Sequence, residues 1–170
     1  MLEHIKIYHS EHIRQSDREV VVEGPVAPAH LARLRMHPQL DAFRKPAEQR
    51  DALIEIAGLP EGRIIIARDG ETIVGYVTFH YPDELERWSE ERMEDLIELG
   101  AIEVADDYRS LGIGKRMLRL AFAGGQMENM IVFTTEYYWH WDLRGSGLNV
   151  WQYRSEEHTS ELQSLTNLVC

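Results

Sequence analysis

The residues whose types and spacing best suit chemistry lie between Val104 and Leu118. An apolar run ends at Val104, a polar turn follows, and Arg109-Ser110-Leu111-Gly112-Ile113-Gly114-Lys115 opens a segment with helical apolar spacing. A strand that delivers the chain to a glycine-bearing loop and then a helix leaves several backbone N–H groups unpaired at the helix N-terminus, with a favourable dipole behind them. Such a site binds phosphate. Arg109, Lys115, Arg116 and Arg119 add a local basic patch. A dinucleotide-binding fingerprint is not met, because Met117 stands at its third glycine position.

The elements that must hold this loop can be read along the chain. Leu96 to Val104 reads as the strand that enters it, and a helix from about 112 to 123 leaves it, ended by Gly124-Gly125. Met130 to Thr135 reads as a further strand. Upstream, Arg63–Arg68 and Thr72–Phe79 are two β-rich runs around Asp69-Gly70, a strong hairpin signal. Val20-Val21-Val22 predicts a first strand near 19–23, stopped by Gly24-Pro25. A short helix is expected from Pro28 to Met36, ending at His37-Pro38. A clearer one starts at Pro46, carries Leu53, Ile54, Ile56 and Ala57, and closes at Gly58-Leu59-Pro60. After the aromatic cluster 137–141 and a Gly145-Ser146-Gly147 loop, Asn149 is placed to cap a last helix with Val150, Trp151 and Tyr153. This order predicts an α/β (α+β) fold, a mixed, mostly antiparallel sheet covered by helices.

Composition narrows the function. A chain of 170 residues has room for one domain with a substantial core. The formal net charge of −11 argues against general nucleic-acid binding, so anion capture at one spot is the better reading of the basic patch. The only cysteine is Cys170, which rules out an intramolecular disulfide or a CxxC zinc knuckle. Residues 1–18 read as a mobile or peripheral lead segment; His4, His9 and His12 lack carboxylate or cysteine partners at ligand spacing, so no metal site is assigned. Without an apolar run of membrane-spanning length or a secretory pattern at the N-terminus, a cytoplasmic protein is expected. The acidic run 82–95 reads as a solvated face, or as a charged rim selecting a basic substrate group.

Arg109-Ser110-Leu111-Gly112-Ile113-Gly114, between strand and helix, resembles the R/Q-x-x-G-x-G/A signature of the GNAT N-acetyltransferases. Longer stretches are similar to the acetoin utilisation acetyltransferases of bacilli and their relatives, among them His37-Pro38-Gln39-Leu40-Asp41-Ala42-Phe43-Arg44 and Thr134-Thr135-Glu136-Tyr137-Tyr138-Trp139-His140-Trp141-Asp142. The likeness spans roughly residues 20–153. It implies acetyl-CoA as cosubstrate, with Arg109, Ser110, Leu111, Gly112, Ile113, Gly114 and Lys115 as the pyrophosphate cradle and Ile102, Glu103 and Val104 along the pantetheine arm. Acyl transfer to an amine needs a base, an oxyanion donor and an acid for the leaving thiolate. The resemblance implies Glu98 as base, with Glu103 the second carboxylate on that strand, the backbone amide near Ile102 as oxyanion donor, and Tyr153 as the candidate acid. It further implies a protein lysine acetyltransferase that silences acetyl-CoA synthetase. A small-amine acetyltransferase and a non-catalytic acetyl-CoA-binding module are the alternatives.

From Arg154 the sequence Arg-Ser-Glu-Glu-His-Thr-Ser-Glu-Leu-Gln-Ser resembles a translated sequencing adapter. Residues 154–170 are therefore expected to be non-native and are set aside in functional reasoning. The domain expected over 19–153 then lacks the two C-terminal strands that the family fold carries.

Overall fold

The computed structural model describes residues 3–83 and 93–134. Most of the acidic run 82–95, the aromatic cluster 137–141, the 145–147 loop, the expected helix with Asn149 and Tyr153, and the tail 154–170 lie outside the described residues.

Among the described residues seven strands form one sheet: β1 (His9–Gln15), β2 (Arg18–Gly24), β3 (Arg35–Met36), β4 (Arg63–Asp69), β5 (Thr72–His80), β6 (Leu96–Val104) and β7 (Ile131–Phe133). They run in the order β1-β2-β4-β5-β6-β7, with β3 paired to β5 off that path. The pairs are antiparallel except β6 with β7 and β3 with β5, so the sheet is mixed and mostly antiparallel, as expected. The α-helices among the described residues are α1 (Pro28–Arg33), α2 (Pro46–Gly58) and α3 (Ile113–Ala121). Among the described residues, no helix is long and apolar enough to cross a membrane.

The β4–β5 hairpin turns at Gly70-Glu71, with Asp69 paired to Thr72. Gly70 takes the left-handed φ of +56° that this turn needs. Ile64, Ile65, Ile66, Val74, Tyr76 and Val77 are fully buried, so both faces of the central strands are covered. Burial of each large apolar side chain contributes about 1.5–3 kcal/mol. The two faces have separate covers. Gly75 leaves space for α3, since a Cβ there would lie 3.3 Å from both Ile113 Cγ2 and Met117 Cε. On the opposite face α2 packs against β4 and β5 through its buried residues Gln49, Leu53 and Ala57.

Two sequence expectations are corrected. Within the stretch expected to be a mobile or peripheral lead, residues 9–15 are ordered as a peripheral edge strand in full antiparallel register with β2. Its anchoring is polar rather than apolar, which hid it: only Ile13 of β1 is buried. Ahead of β1, buried Arg63 donates to the Ile5 carbonyl at 2.6 Å, and Gln126 Oε1 accepts the Ile7 N–H at 2.7 Å. The expected helix 28–36 stops at Arg33, and Arg35 and Met36 instead pair in parallel with Thr72 and Ile73. Backbone bonds from the Arg35 N–H to Glu71 and from the His37 N–H to Ile73, both 2.9 Å, outweigh the partial helical period there.

Candidate functional site

β6 organises the site. Its register with β5 slips between Thr78 and Phe79: Thr78 faces Ala101, Phe79 faces Leu99, and Gly100 is the extra residue of a β-bulge. On the other edge β7 pairs only with Leu96, Ile97 and Glu98. Beyond Glu98, no described strand lies along that edge of β6. The Ala105 N–H donates to the Val74 carbonyl at 2.8 Å, on the β5 side. Backbone groups alternate along a strand, so Ile102 and Val104 turn theirs toward the open edge.

This open edge runs into the loop before α3. A single 3-10 turn, Asp106–Tyr108, is followed by Ser110 at φ +74° and by Gly112 at φ +67° as the residue before the helix. The first intrahelical bond is from the Arg116 N–H to the Gly112 carbonyl, 3.0 Å. The N–H groups of Ile113, Gly114 and Lys115 therefore have no helical acceptor. No side chain caps the helix, and a Cβ at Gly112 would meet nothing within 4 Å. Arg109 and Lys115 are exposed, with Arg109 paired to Asp106 at 3.0 Å. Ile113 is buried at 2 % exposure, so its side chain serves the core.

The loop is anchored by partners distant in sequence. Tyr108 donates to Asp69 Oδ2 at 2.7 Å, at the end of the β4 hairpin strand. Burial, then this hydrogen bond, raises the Tyr108 hydroxyl above its usual range, so it stays a donor. Arg18 lies 4.7 Å from the Tyr108 ring centroid and donates to the Asp107 carbonyl at 2.7 Å. The Asp107 N–H donates to Gln39 Oε1 at 3.0 Å.

The two carboxylates on β6 differ in their surroundings. Glu103 is buried; its Oε1 accepts the Ala42 N–H at 2.9 Å and its Oε2 accepts the Tyr76 hydroxyl at 2.6 Å. Burial first, then Glu103, pushes the Tyr76 hydroxyl far above the tyrosine range. The Glu103 carboxylate thus holds the 37–45 loop to the sheet. Glu98 is half-buried and lies opposite His80, on the face of β5 that also carries Thr78. On this face, between α2 and the sheet, is a cavity of about 430 Å³, bordered by Gln49, Glu55, Thr78, His80, Gly100 and Ala101. Tyr153 lies outside the described residues.

The structure therefore brings Ile102, Val104 and the 109–115 loop into one continuous track, and puts Glu98 opposite His80 on the sheet face that carries the cavity. The cavity and the bracing loop were missed from sequence. Two signals pointed to them: a glycine inside a strand, at Gly100, marks a bulge, and Gln49 is a polar residue on the apolar stripe of α2.

Comparison with known proteins places the chain in a family. Residues 30–147 match the acetyltransferase (GNAT) family. The acetoin utilization protein AcuA of Bacillus subtilis (strain 168) is 62% identical over 153 residues, covering 90% of this chain and 73% of the relative. The AcuA protein of Bacillus licheniformis is 56% identical over the same coverage. Among solved structures, an acetoin utilization protein from Exiguobacterium sibiricum 255-15 superposes with a TM-score of 0.86 at 48% identity, covering 97% of this chain and 76% of that one. GNAT enzymes take their acetyl group from acetyl-CoA. With its mixed sheet, its strand–loop–helix track and these relatives, the chain belongs to the GNAT family of acetyltransferases, alongside the AcuA proteins.

Proposed function

We propose that this acetyltransferase moves the acetyl group of acetyl-CoA onto the ε-amine of a protein lysine, and that acetyl-CoA synthetase is the protein it acetylates and inactivates. One observation carries the donor half of this reading: the open edge of β6 at Ile102 and Val104 leads directly into the amides of Ile113–Lys115. An extended arm with amide groups, ending in a pyrophosphate, fits such a track. The arm adds to β6 as an extra strand would, and the pyrophosphate meets the helix N-terminus, with Arg109 to Gly112 shaping the turn and Arg109 and Lys115 supplying charge. Glu103 contributes its backbone to this strand; its carboxylate, committed to Ala42 and Tyr76, serves as a brace rather than as a base.

In the transfer, the lysine nitrogen attacks the thioester carbonyl carbon, and the C–N bond forms as the C–S bond breaks. The ammonium proton passes to a base, and the departing thiolate takes a proton from an acid. Glu98, half-buried opposite His80, is the proposed base. The Ile102 amide on the open edge is the proposed donor to the carbonyl oxygen, where negative charge develops. Tyr153 is retained as the proposed acid.

What supports a target in this metabolism is family likeness: relatives at 62% and 56% identity are named for acetoin utilization. A cytoplasmic setting belongs to the same proposal. Incubation of the chain with radiolabelled acetyl-CoA and acetyl-CoA synthetase is expected to label the synthetase and lower its activity. Label on spermidine in preference to the synthetase would make the acceptor a small amine. Tight CoA binding with no label on either would leave a non-catalytic module.

A further inference from the structure

We infer that the cavity between α2 and the sheet is an acceptor pocket that reads a primary ammonium on an aliphatic stem, with Gln49 and Glu55 as the reading residues. The inference rests on the acetyl-transfer reading above and names the acceptor chemistry of that site.

The strongest observation is Gln49. It is 2% exposed, it borders the cavity, and its Oε1 is buried with no hydrogen-bond partner. Buried acceptors are normally satisfied, and one that is not marks a place where a donor belongs. Two neighbouring side chains, His80 and Glu55, add further acceptors. His80 Nδ1 donates to the Tyr81 carbonyl at 2.6 Å, so in the neutral ring Nε2 carries a lone pair. Nε2 occupies space that Gly100 leaves open, since a Cβ there would come within 2.6 Å of it. Glu55, exposed on the outer turn of α2, adds a negative charge to the border.

An ammonium has three donors and no acceptor, which complements this set. Ala52 and Ile56 supply apolar wall for the methylene stem. Arg44 also borders the cavity, but is exposed where Gln49 is buried. The pocket reaches Gly100 and Ala101, adjacent in sequence to Ile102 on the open edge. An amine entering from the α2 face therefore arrives at the part of β6 where the thioester is proposed to lie.

The test uses Nα-acetyl-lysine amide as the probe. Its titration into the whole chain is expected to shift the Gly100 and Ala101 backbone amide resonances and the Gln49 side-chain resonances. In Gln49→Leu and Glu55→Gln, KM for the probe should rise about tenfold or more, as for a lost hydrogen bond to a charged group, with the acetyl-CoA Kd unchanged. Leucine at position 49 removes an unsatisfied acceptor, so the melting temperature should hold or rise; a structural glutamine would instead lower it. Transfer to the probe with KM unchanged in both variants would overturn the pocket while leaving the enzyme's function intact. Probe binding at Gly100 and Ala101 without any transfer would uphold the pocket and overturn the proposed function. No shift at these residues with saturating probe would overturn the pocket.

Discussion

Tyr76 donates its hydroxyl hydrogen to Glu103 Oε2 at 2.6 Å, joining two facing residues on β5 and β6 in the buried sheet. The other oxygen of Glu103 holds the Ala42 N–H, so this pair fixes the 37–45 loop, from which Gln39 reaches the Asp107 amide ahead of α3. One buried carboxylate thereby links the sheet to a segment that touches both the proposed donor loop and the cavity.

Tyr76→Phe removes the donor and leaves a buried carboxylate oxygen unpaired. The expected loss is about 1–3 kcal/mol of folding stability by urea unfolding. In the double variant Tyr76→Phe/Glu103→Gln the losses should fall short of additivity, because the two groups act as one unit. Additive losses would separate the pair.

Gly112→Ala places a Cβ at φ +67°, a left-handed conformation that costs a residue with a side chain about 1–2 kcal/mol. Gly70 is its control: it also has positive φ, +56°, and a Cβ there too meets nothing within 4 Å. Both alanine variants should lose similar stability. Only Gly112→Ala should weaken acetyl-CoA binding in calorimetry, because only that Cβ stands at the helix N-terminus where the pyrophosphate is proposed to bind.

The parts of the structure legible in the sequence are those decided locally. The Asp69-Gly70 hairpin, α2 from Pro46 to Gly58, and the strand Leu96–Val104 each follow from turn residues or apolar period within a short window. The loop before α3 was readable for the same reason. What escaped depends on partners far apart. β1 is held by ladder hydrogen bonds and by Gln126, with little apolar pattern of its own. β3 was hidden by a helix-like spacing that edge pairing overrode. In the sequence Glu103 reads as the second carboxylate on the strand of Glu98, and only its contact with Ala42, distant in sequence, gives it a bracing role.

Stability should depend on pH through Glu23. Burial alone would raise its carboxyl, but hydrogen bonds from Arg68, Tyr8 and His30 outweigh that and hold it below the usual carboxylate range. A depressed carboxyl contributes stability that is present above its unfolded pKa and is lost as pH falls through the folded value. Unfolding free energy should therefore decline from the ordinary carboxylate range downward, and Glu23→Gln should flatten that acid limb. On the alkaline side Tyr8, which burial and then Glu23 push up to about 12, contributes alongside the raised hydroxyls of Tyr76, Tyr81 and Tyr108. Its share is complete below the ordinary tyrosine pKa and is lost as pH rises through the folded value, so Tyr8→Phe should flatten that side in part.

Glu98→Gln tests the proposed base. Glutamine keeps the shape of the side chain and removes its ability to take a proton. Glu98 lies opposite His80, one residue before the bulge pair Leu99-Gly100, on the face where the acceptor cavity opens and away from the amides before α3. A base acting on the incoming ammonium should therefore be felt in turnover and not in donor capture. The expected loss in kcat is about 10²–10⁴-fold, the usual scale for one general base, with the acetyl-CoA Kd unchanged. Raising the pH should restore part of the rate, because a larger fraction of the lysine then arrives already neutral. An equal loss in kcat and acetyl-CoA affinity would make Glu98 a structural residue, and an unchanged kcat would move the base elsewhere on that face.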